Sequence, residues 1–280
     1  MPVGLFGPEG DAQVRALADA VTALGAEPRV LGDDDWAAGL PFSSLDGQLR
    51  HRGHTFDGLT SLYVRQVSTP FVAALEPARF ASYEDWFVHS MQTRERSSFT
   101  LAWLLAEEAR GVRMINPPTA MSALLYPTAQ EAALRRQGAL VARALVTNDP
   151  DAVKSFVEAV GEVESRALLG GEPWRAVTSR PIDLSSPRHF RECLPGQVHL
   201  FLAGDSAITS PETTLPKRVL GVARAVARER GLLVAGFTLA RRRRRWVFLD
   251  VDAAPEWMRL DARAAERVTA AVARAMVESP

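Results

Sequence analysis

An unbroken apolar run, Val3 to Phe6, opens the chain and is closed by Gly7-Pro8, which reads as a buried strand. Asp11 then precedes Val14, Leu17, Val21 and Leu24 at helical spacing, and Gly25 stands where that helix should stop. Pro28 to Leu31 returns as a strand. Strand, helix and strand in such short order predict a βαβ unit, and so a parallel sheet with covering helices. Leu59 to Arg65 adds a strand, Arg94 to Arg110 a helix ended by Gly111, and Val112 to Ile115 a further strand. Asn116-Pro117-Pro118 can continue neither period, so a domain boundary is placed there.

Beyond it the pattern changes. Thr128-Ala-Gln-Glu131 has the spacing of a capping box and opens a short helix that Gly138 ends. Asp149-Pro150 begins another, with Val153, Phe156, Val157 and Val160 on one face and Gly161 after it. From Val163 to Gln197 the signals are mixed, with β-like pieces such as Trp174 to Thr178. Val198 to Ala203 reads as a strand, Leu215 to Arg230 as a helix, Leu232 to Leu239 and Trp246 to Val251 as two joined strands, and Asp261 to Val277 as a last helix. Helices and antiparallel hairpins after a βαβ start predict α/β followed by α+β.

Composition narrows the function classes. A chain of 280 residues with 47% hydrophobic residues can bury a two-domain core. Its 33 basic residues balance its 33 acidic ones, leaving no overall field to draw it onto nucleic acid or an acidic membrane. No apolar run approaches the roughly 18 residues of a membrane span. The lone Cys193 cannot form an internal disulfide, which fits a reducing, cytoplasmic setting. Lys154 and Lys217 are the only lysines, so a lysine demanded by a mechanism should stand out.

Several residue groups invite chemistry. Asp250 and Asp252 are two apart on a strand and face one side, as Mg²⁺ requires of carboxylates when it also keeps waters and phosphate oxygens; an ordinary strand exit is the plainer reading. Arg241 to Arg245 could grip phosphates, but they lie between two strands with no aromatic stacking series, and read as a polar hairpin turn rather than a nucleic-acid contact. Gly4, Gly7 and Gly10 lack the spacing of a phosphate-cradling loop and suit a tight turn. His51 and His54 have no further Cys or His nearby and suit a polar loop.

Taken in order, these pieces resemble the ATP-grasp superfamily, in particular its branch of ribosomal-protein glutamyl ligases, glutathione-synthetase-like enzymes and microviridin-type peptide ligases. Gly7-Pro-Glu-Gly-Asp11 and its helix resemble the pre-grasp opening, Tyr63-Val-Arg65-Gln66 the W-x-R-R strand, and Met114-Ile-Asn116-Pro117-Pro118 the N-P junction. Ala144-Leu-Val-Thr147-Asn148-Asp149-Pro150 is similar to the T-L-V-T-N-D-P element, and Phe190-Arg-Glu192-Cys193-Leu194-Pro195-Gly196 to the adenine hinge. Gln197-Val-His199 through Gly204-Asp205 is similar to the D-x-R strand, while Gly236-Phe-Thr238 and Phe248-Leu-Asp250-Val-Asp252 stand where G-x-D and F-L-E-V-N do.

The resemblance implies a Rossmann-like pre-grasp domain over 1–117, a shortened lid and N-terminal grasp subdomain over 118–190, and a C-terminal grasp subdomain over 191–280. It implies ATP and Mg²⁺ as cofactors, with Asp250 and Asp252 as metal ligands. Arg166 and His199 would hold phosphate, Glu192, Cys193 and Leu194 would line the adenine slot, and Arg65 would hold the carboxylate of a small-molecule or peptide substrate. The activity implied is ligation of a carboxylate to an amine or hydroxyl through an acyl phosphate, in a homodimer or homotetramer. The departures are specific: the two family lysines fall at Pro127 and Arg166, the strand arginine at His199, and the stretch from Arg166 to Glu192, with Gly170-Gly171, is short. They motivate a second reading, a degenerate member that binds a peptide, nucleotide or partner without ligation.

Overall fold

The computed structural model describes residues 2–8, 10–32, 42–45, 48–51, 54–65, 81–168, 173–177 and 182–278. Glu9, Gln66, Gly170 and Gly171, quoted in the motifs above, and Thr178 lie outside the described residues. The chain forms two compact units, one of Met1–Ser122 with Glu256–Pro280 and one of Ala123–Pro255.

The first unit runs β1 (Pro2–Phe6), α1 (Ala12–Ala23), β2 (Glu27–Leu31), β3 (Phe42–Leu45), β4 (Gln48–His51), β5 (His54–Thr55), β6 (Ser61–Val64), α2 (Tyr83–Ala109), β7 (Arg113–Ile115) and α3 (Pro118–Ala123). Its main sheet has the order β2-β1-β6-β7 and is parallel throughout, as the βαβ opening requires. Asp11 caps α1 by accepting from the backbone N–H groups of Gln13 and Val14. Gly7 is a matter of close approach: a Cβ there would lie 2.6 Å from Cβ of Arg65.

Two expectations need correction in this unit. Helix α2 starts at Tyr83 rather than Arg94, with Ser82 accepting from the N–H of Asp85 at its N-terminus. Exposed Tyr83, Phe87 and Val88 interrupt the apolar period there, which hid the first turns from sequence. His51 is no loop residue: it lies on β4, is 2% exposed and stacks on Phe42 with ring centroids 3.8 Å apart.

The second unit begins with α4 (Pro127–Arg136), β8 (Ala144–Thr147), α5 (Pro150–Val160), β9 (Val163–Ala167), β10 (Arg175–Ala176) and β11 (Arg188–Glu192). These strands form an antiparallel sheet in the order β10-β9-β11-β8. Phe156, Val157 and Val160 of α5 pack with Val153, Val163 and Phe190, the face the spacing predicted. The capping box does not form. Pro127 takes the first helical position of α4, Tyr126 is the N-cap without a side-chain bond, and Gly138, at φ +74°, closes the helix.

The unit continues with β12 (Val198–Ala203), β13 (Ser206–Ser210), α6 (Lys217–Glu229), β14 (Val234–Arg242) and β15 (Arg245–Asp252). Their sheet, β13-β12-β14-β15, is antiparallel. Arg242 pairs with Arg245, so Arg243 and Arg244 make a two-residue turn, with Arg243 at φ +59°.

The last helix, α7 (Ala262–Val277), returns to the first unit. Ser61 Oγ donates to the carbonyl of Met276, Trp257 N–H donates to Oε1 of Gln13, and Gln13 Nε2 donates to the Tyr63 hydroxyl at 2.6 Å. Glu256–Pro280, expected within the 191–280 subdomain, thus belong to the first compact unit, as do Pro118–Ser122 of the expected 118–190 subdomain. Periodicity shows that a helix has an apolar face but not which sheet will cover it.

Candidate active site

Alternation along β9 and β11 divides two functions. Val163 and Phe190 turn to the core beneath α5, while Glu164, Arg166, His189 and Arg191 turn the other way, with Arg166 opposite His189 and Glu164 opposite Arg191. Arg191 is 2% exposed; its Nε donates to Glu164 Oε1 at 2.6 Å and its Nη1 to the carbonyl of Leu249 at 3.3 Å. Asp250 of β15 completes the group, 3.1 Å from Arg166 Nη2 and 3.9 Å from Arg191 Nη1. Both guanidiniums lie over the Trp174 ring, 4.4 Å and 3.8 Å from its centroid. Burial lowers the pKa of Arg191 and the charges of Asp250 and Glu164 oppose it.

A narrow cleft of about 10 Å³ lies beside this group, lined by Pro127, Gln130 and Glu131 of α4, His189 and Arg191 of β11, and Leu249 and Asp250 of β15. His189 is buried, and neither ring nitrogen is hydrogen-bonded among the described residues. Burial, and then the charges of Arg166 and Arg191, push its pKa from 6.5 down to about 3. The unfolded chain thus takes up a proton below pH 6.5 that the folded chain refuses. Stability from this source is complete above that pH and declines as pH falls toward 3. At pH 5 the loss is about 1–2 kcal/mol. Urea unfolding at pH 7 and pH 5 should show it in the wild type and much less of it in His189→Gln; an equal loss in both would remove His189 as the cause.

The sequence candidates are distributed around this cleft. His199, Thr238 and Asp250 form one cross-strand row over β12, β14 and β15, with Thr238 Oγ1 3.4 Å from His199 Nδ1. Burial, then Arg191, lowers the pKa of His199, so it can hydrogen-bond a phosphate but does not bring a full charge. Asp252 lies on the same strand face as Asp250, is exposed, and accepts from the N–H of Ala254 at 2.8 Å. No group of three or more His, Cys, Asp or Glu side chains gathers for a metal among the described residues. A hard cation that keeps waters and phosphate oxygens needs only one or two carboxylates, and the pair on β15, already holding positive charge at Asp250, fits that requirement.

At the hinge, Glu192 is buried and bound by the N–H of Arg143 at 2.9 Å and by Nη1 of Arg242 at 2.8 Å. Arg242, expected as a solvated turn residue, is instead a clamp on the hinge, and Arg241 lies over Trp246. Cys193 donates its N–H to the carbonyl of Glu162 at 2.9 Å, and its thiol pKa is raised by burial and then by Glu164 and Glu162. Leu194 packs on Ala142, Ala240, Val247 and Leu249. Arg65 belongs to the first unit, held 3.1 Å from both Asp11 and Glu256.

No family model matches the sequence, and no curated protein is similar to it by sequence. Solved structures are similar along the whole chain. The ATP-grasp ligase PsnB, complexed with a phosphomimetic variant of its minimal precursor, Mg and ADP, has a TM-score of 0.83 at 23% identity over 98% of this chain and 97% of that one. Macrocyclase MdnC from Microcystis aeruginosa MRC, bound with precursor peptide MdnA, has a TM-score of 0.81 at 16% identity over 100% of both chains. A Chryseobacterium gregarium RiPP-associated ATP-grasp ligase in complex with ADP and a leader and core peptide has 0.74 at 13% identity, over 100% of this chain and 97% of that one.

The chain has the ATP-grasp fold. Within it, sequence reasoning found Arg166 and Asp250, which the structure joins, but passed over Glu164, Trp174, His189 and Arg191. The available signal was a strand, Arg188-His-Phe-Arg-Glu192, that alternates polar with apolar only once, so its inward face was not evident.

Proposed function

We propose that this chain is an ATP-dependent ligase that joins a carboxylate to an amine or hydroxyl on a peptide. The observation that carries the reading is the clustering of Arg166 and Arg191 around Asp250 beside the cleft, within a fold shared with ligases complexed with ADP, Mg and precursor peptides. Phosphoryl transfer spreads negative charge over oxygens, so it needs fixed positive groups more than a covalent nucleophile. Asp250 and Asp252 would hold Mg²⁺, which neutralises phosphate charge when bound.

Arg166 would exchange Asp250 for a phosphate oxygen, and Trp174 would keep the planes of both guanidiniums oriented during that exchange. The hinge, clamped through Glu192 by Arg143 and Arg242, would hold adenine against Leu194 and Leu249. Substrate carboxylate takes the γ-phosphoryl group as ADP leaves; nitrogen or oxygen of the acceptor then attacks the acyl carbon, phosphate departs, and the acceptor's proton passes to solvent. A carboxylate reaching Arg65 would have to replace Asp11 or Glu256.

A nucleotide binder without ligation is favoured by one feature, the uncharged Pro127 in the lining of the same cleft. Two measurements separate the readings. Mg·AMPPNP should raise the thermal midpoint of the full chain, because a ligand of the native state stabilises by mass action. Incubation with Mg·ATP and a peptide rich in Asp, Glu, Ser, Thr and Lys should release ADP and remove one water's mass from the peptide per bond formed. Stabilisation with no change in peptide mass for any such sequence would support the binder, and absence of stabilisation would sink both.

A further inference from the structure

We propose that Arg191 and His189, side by side on β11, are phosphate-binding residues that act with Arg166, Arg191 supplying in this cleft the positive charge that Pro127 cannot. The inference rests on the nucleotide reading above and deepens it. Three buried side-chain nitrogens, Arg166 Nε and both ring nitrogens of His189, have no hydrogen-bond partner among the described residues. A buried polar atom left unpaired costs free energy, so His189, which lines the cleft, and Arg166 beside it mark a place completed by a polar ligand. His189 and Arg166 are cross-strand partners, so their unpaired atoms lie on one wall rather than being scattered.

Arg191 is prepared for an anion in a way that a purely structural arginine need not be. Glu164 and the carbonyl of Leu249 offset its burial, and Trp174 covers its plane. Its remaining carboxylate neighbour, Asp250, is the candidate metal ligand and is at 3.9 Å, beyond hydrogen-bond length. Two guanidiniums face Glu164 and Asp250, and Glu131, which also lines the cleft, is held by Arg135 at 3.4 Å. When a cation takes Asp250, the positive charge on Arg166 and Arg191 is left for phosphate. His189 adds a neutral N–H donor beside them, which a triphosphate accepts without any charge being moved.

The same cleft is lined by Pro127, so a cation can be tested at either wall. Binding of AMPPNP with Mg²⁺ is measured by calorimetry on the full chain. Arg191→Gln should weaken it by about 10-fold or more, the scale of a lost charge-assisted hydrogen bond. His189→Phe, which keeps a ring but no donor, should weaken it about 3- to 10-fold. Adding Pro127→Lys to Arg191→Gln should restore affinity to within about 3-fold of wild type, an outcome that a packing role for Arg191 does not produce. Should Arg191→Gln fail to fold, the paired Glu164→Gln/Arg191→Gln variant, which removes both buried charges, carries the same expectation. Wild-type affinity in folded Arg191→Gln, or in that pair, overturns the inference while leaving the nucleotide reading intact. No AMPPNP binding by the wild type overturns the nucleotide reading itself, and the inference with it.

Discussion

Asp250→Asn should abolish the stabilisation of the chain by Mg·AMPPNP and lower ligation by on the order of 10²–10³, the range seen when one fixed electrostatic partner of a reacting group is removed. The side chain is isosteric, so packing stays and the charge goes. In the free chain Asp250 has Arg166 at 3.1 Å, with side-chain exposures of 17% and 18%, so losing the pair costs about 1–2 kcal/mol, between an exposed pair and a fully buried one. The sign of the effect on nucleotide depends on the cation. With Mg²⁺ present, binding should fall, because the carboxylate that would hold the metal is gone. In EDTA, AMPPNP binding should be unchanged or tighter, because the substitution removes a negative charge and frees Arg166 from its partner. Retention of full Mg·AMPPNP stabilisation by Asp250→Asn would place the metal elsewhere and remove Asp250 from the chemistry.

The legible parts of this site were those written in short-range order. Asp250 and Asp252 are two apart on a strand, and one alternation is enough to put them on the same face. Arg166 was found through its place in a motif, and the structure sets it against Asp250. What was not legible depends on pairing between distant strands. Arg191 meets Glu164 across β9 and β11, 27 positions apart, and reaches Leu249 from 58 positions away. Trp174 reads as a β-strand residue with no hint that two arginines would lie over it. Arg242 hid in a run of like charges whose members have different fates: one clamps Glu192, one covers Trp246, and Arg243 makes the turn.

The fold shows the same division. The βαβ opening and the final hairpin follow from local period and turn chemistry. The return of α7 to the first unit does not, because its buried Val268 and Val272 would suit any apolar sheet face. Pro127 illustrates local chemistry overruling a motif, since its ring starts α4 one residue before the capping-box threonine.

Glu164→Ala should be the most destabilising of the single substitutions in the cleft, by about 3 kcal/mol, at the lower end of the range for breaking a buried ion pair. The reason is what it leaves behind. Arg191 has a 2% exposed side chain and its Nε hydrogen bond to Glu164 is 2.6 Å long, so removing the acceptor strands a guanidinium that water cannot reach. Asp250 and the Trp174 ring remain, which keeps the cost from the upper end. The double substitution Glu164→Leu/Arg191→Leu removes both charges and fills the space with apolar volume, and should recover most of the lost stability while weakening nucleotide binding by about 10-fold or more. Urea unfolding gives the first quantity and calorimetry with Mg·AMPPNP the second. A cost below about 0.5 kcal/mol for Glu164→Ala would mean that the guanidinium finds solvent or another acceptor. Stability recovered in the double variant together with nucleotide binding retained would mean that the pair braces the sheet and takes no part in holding phosphate.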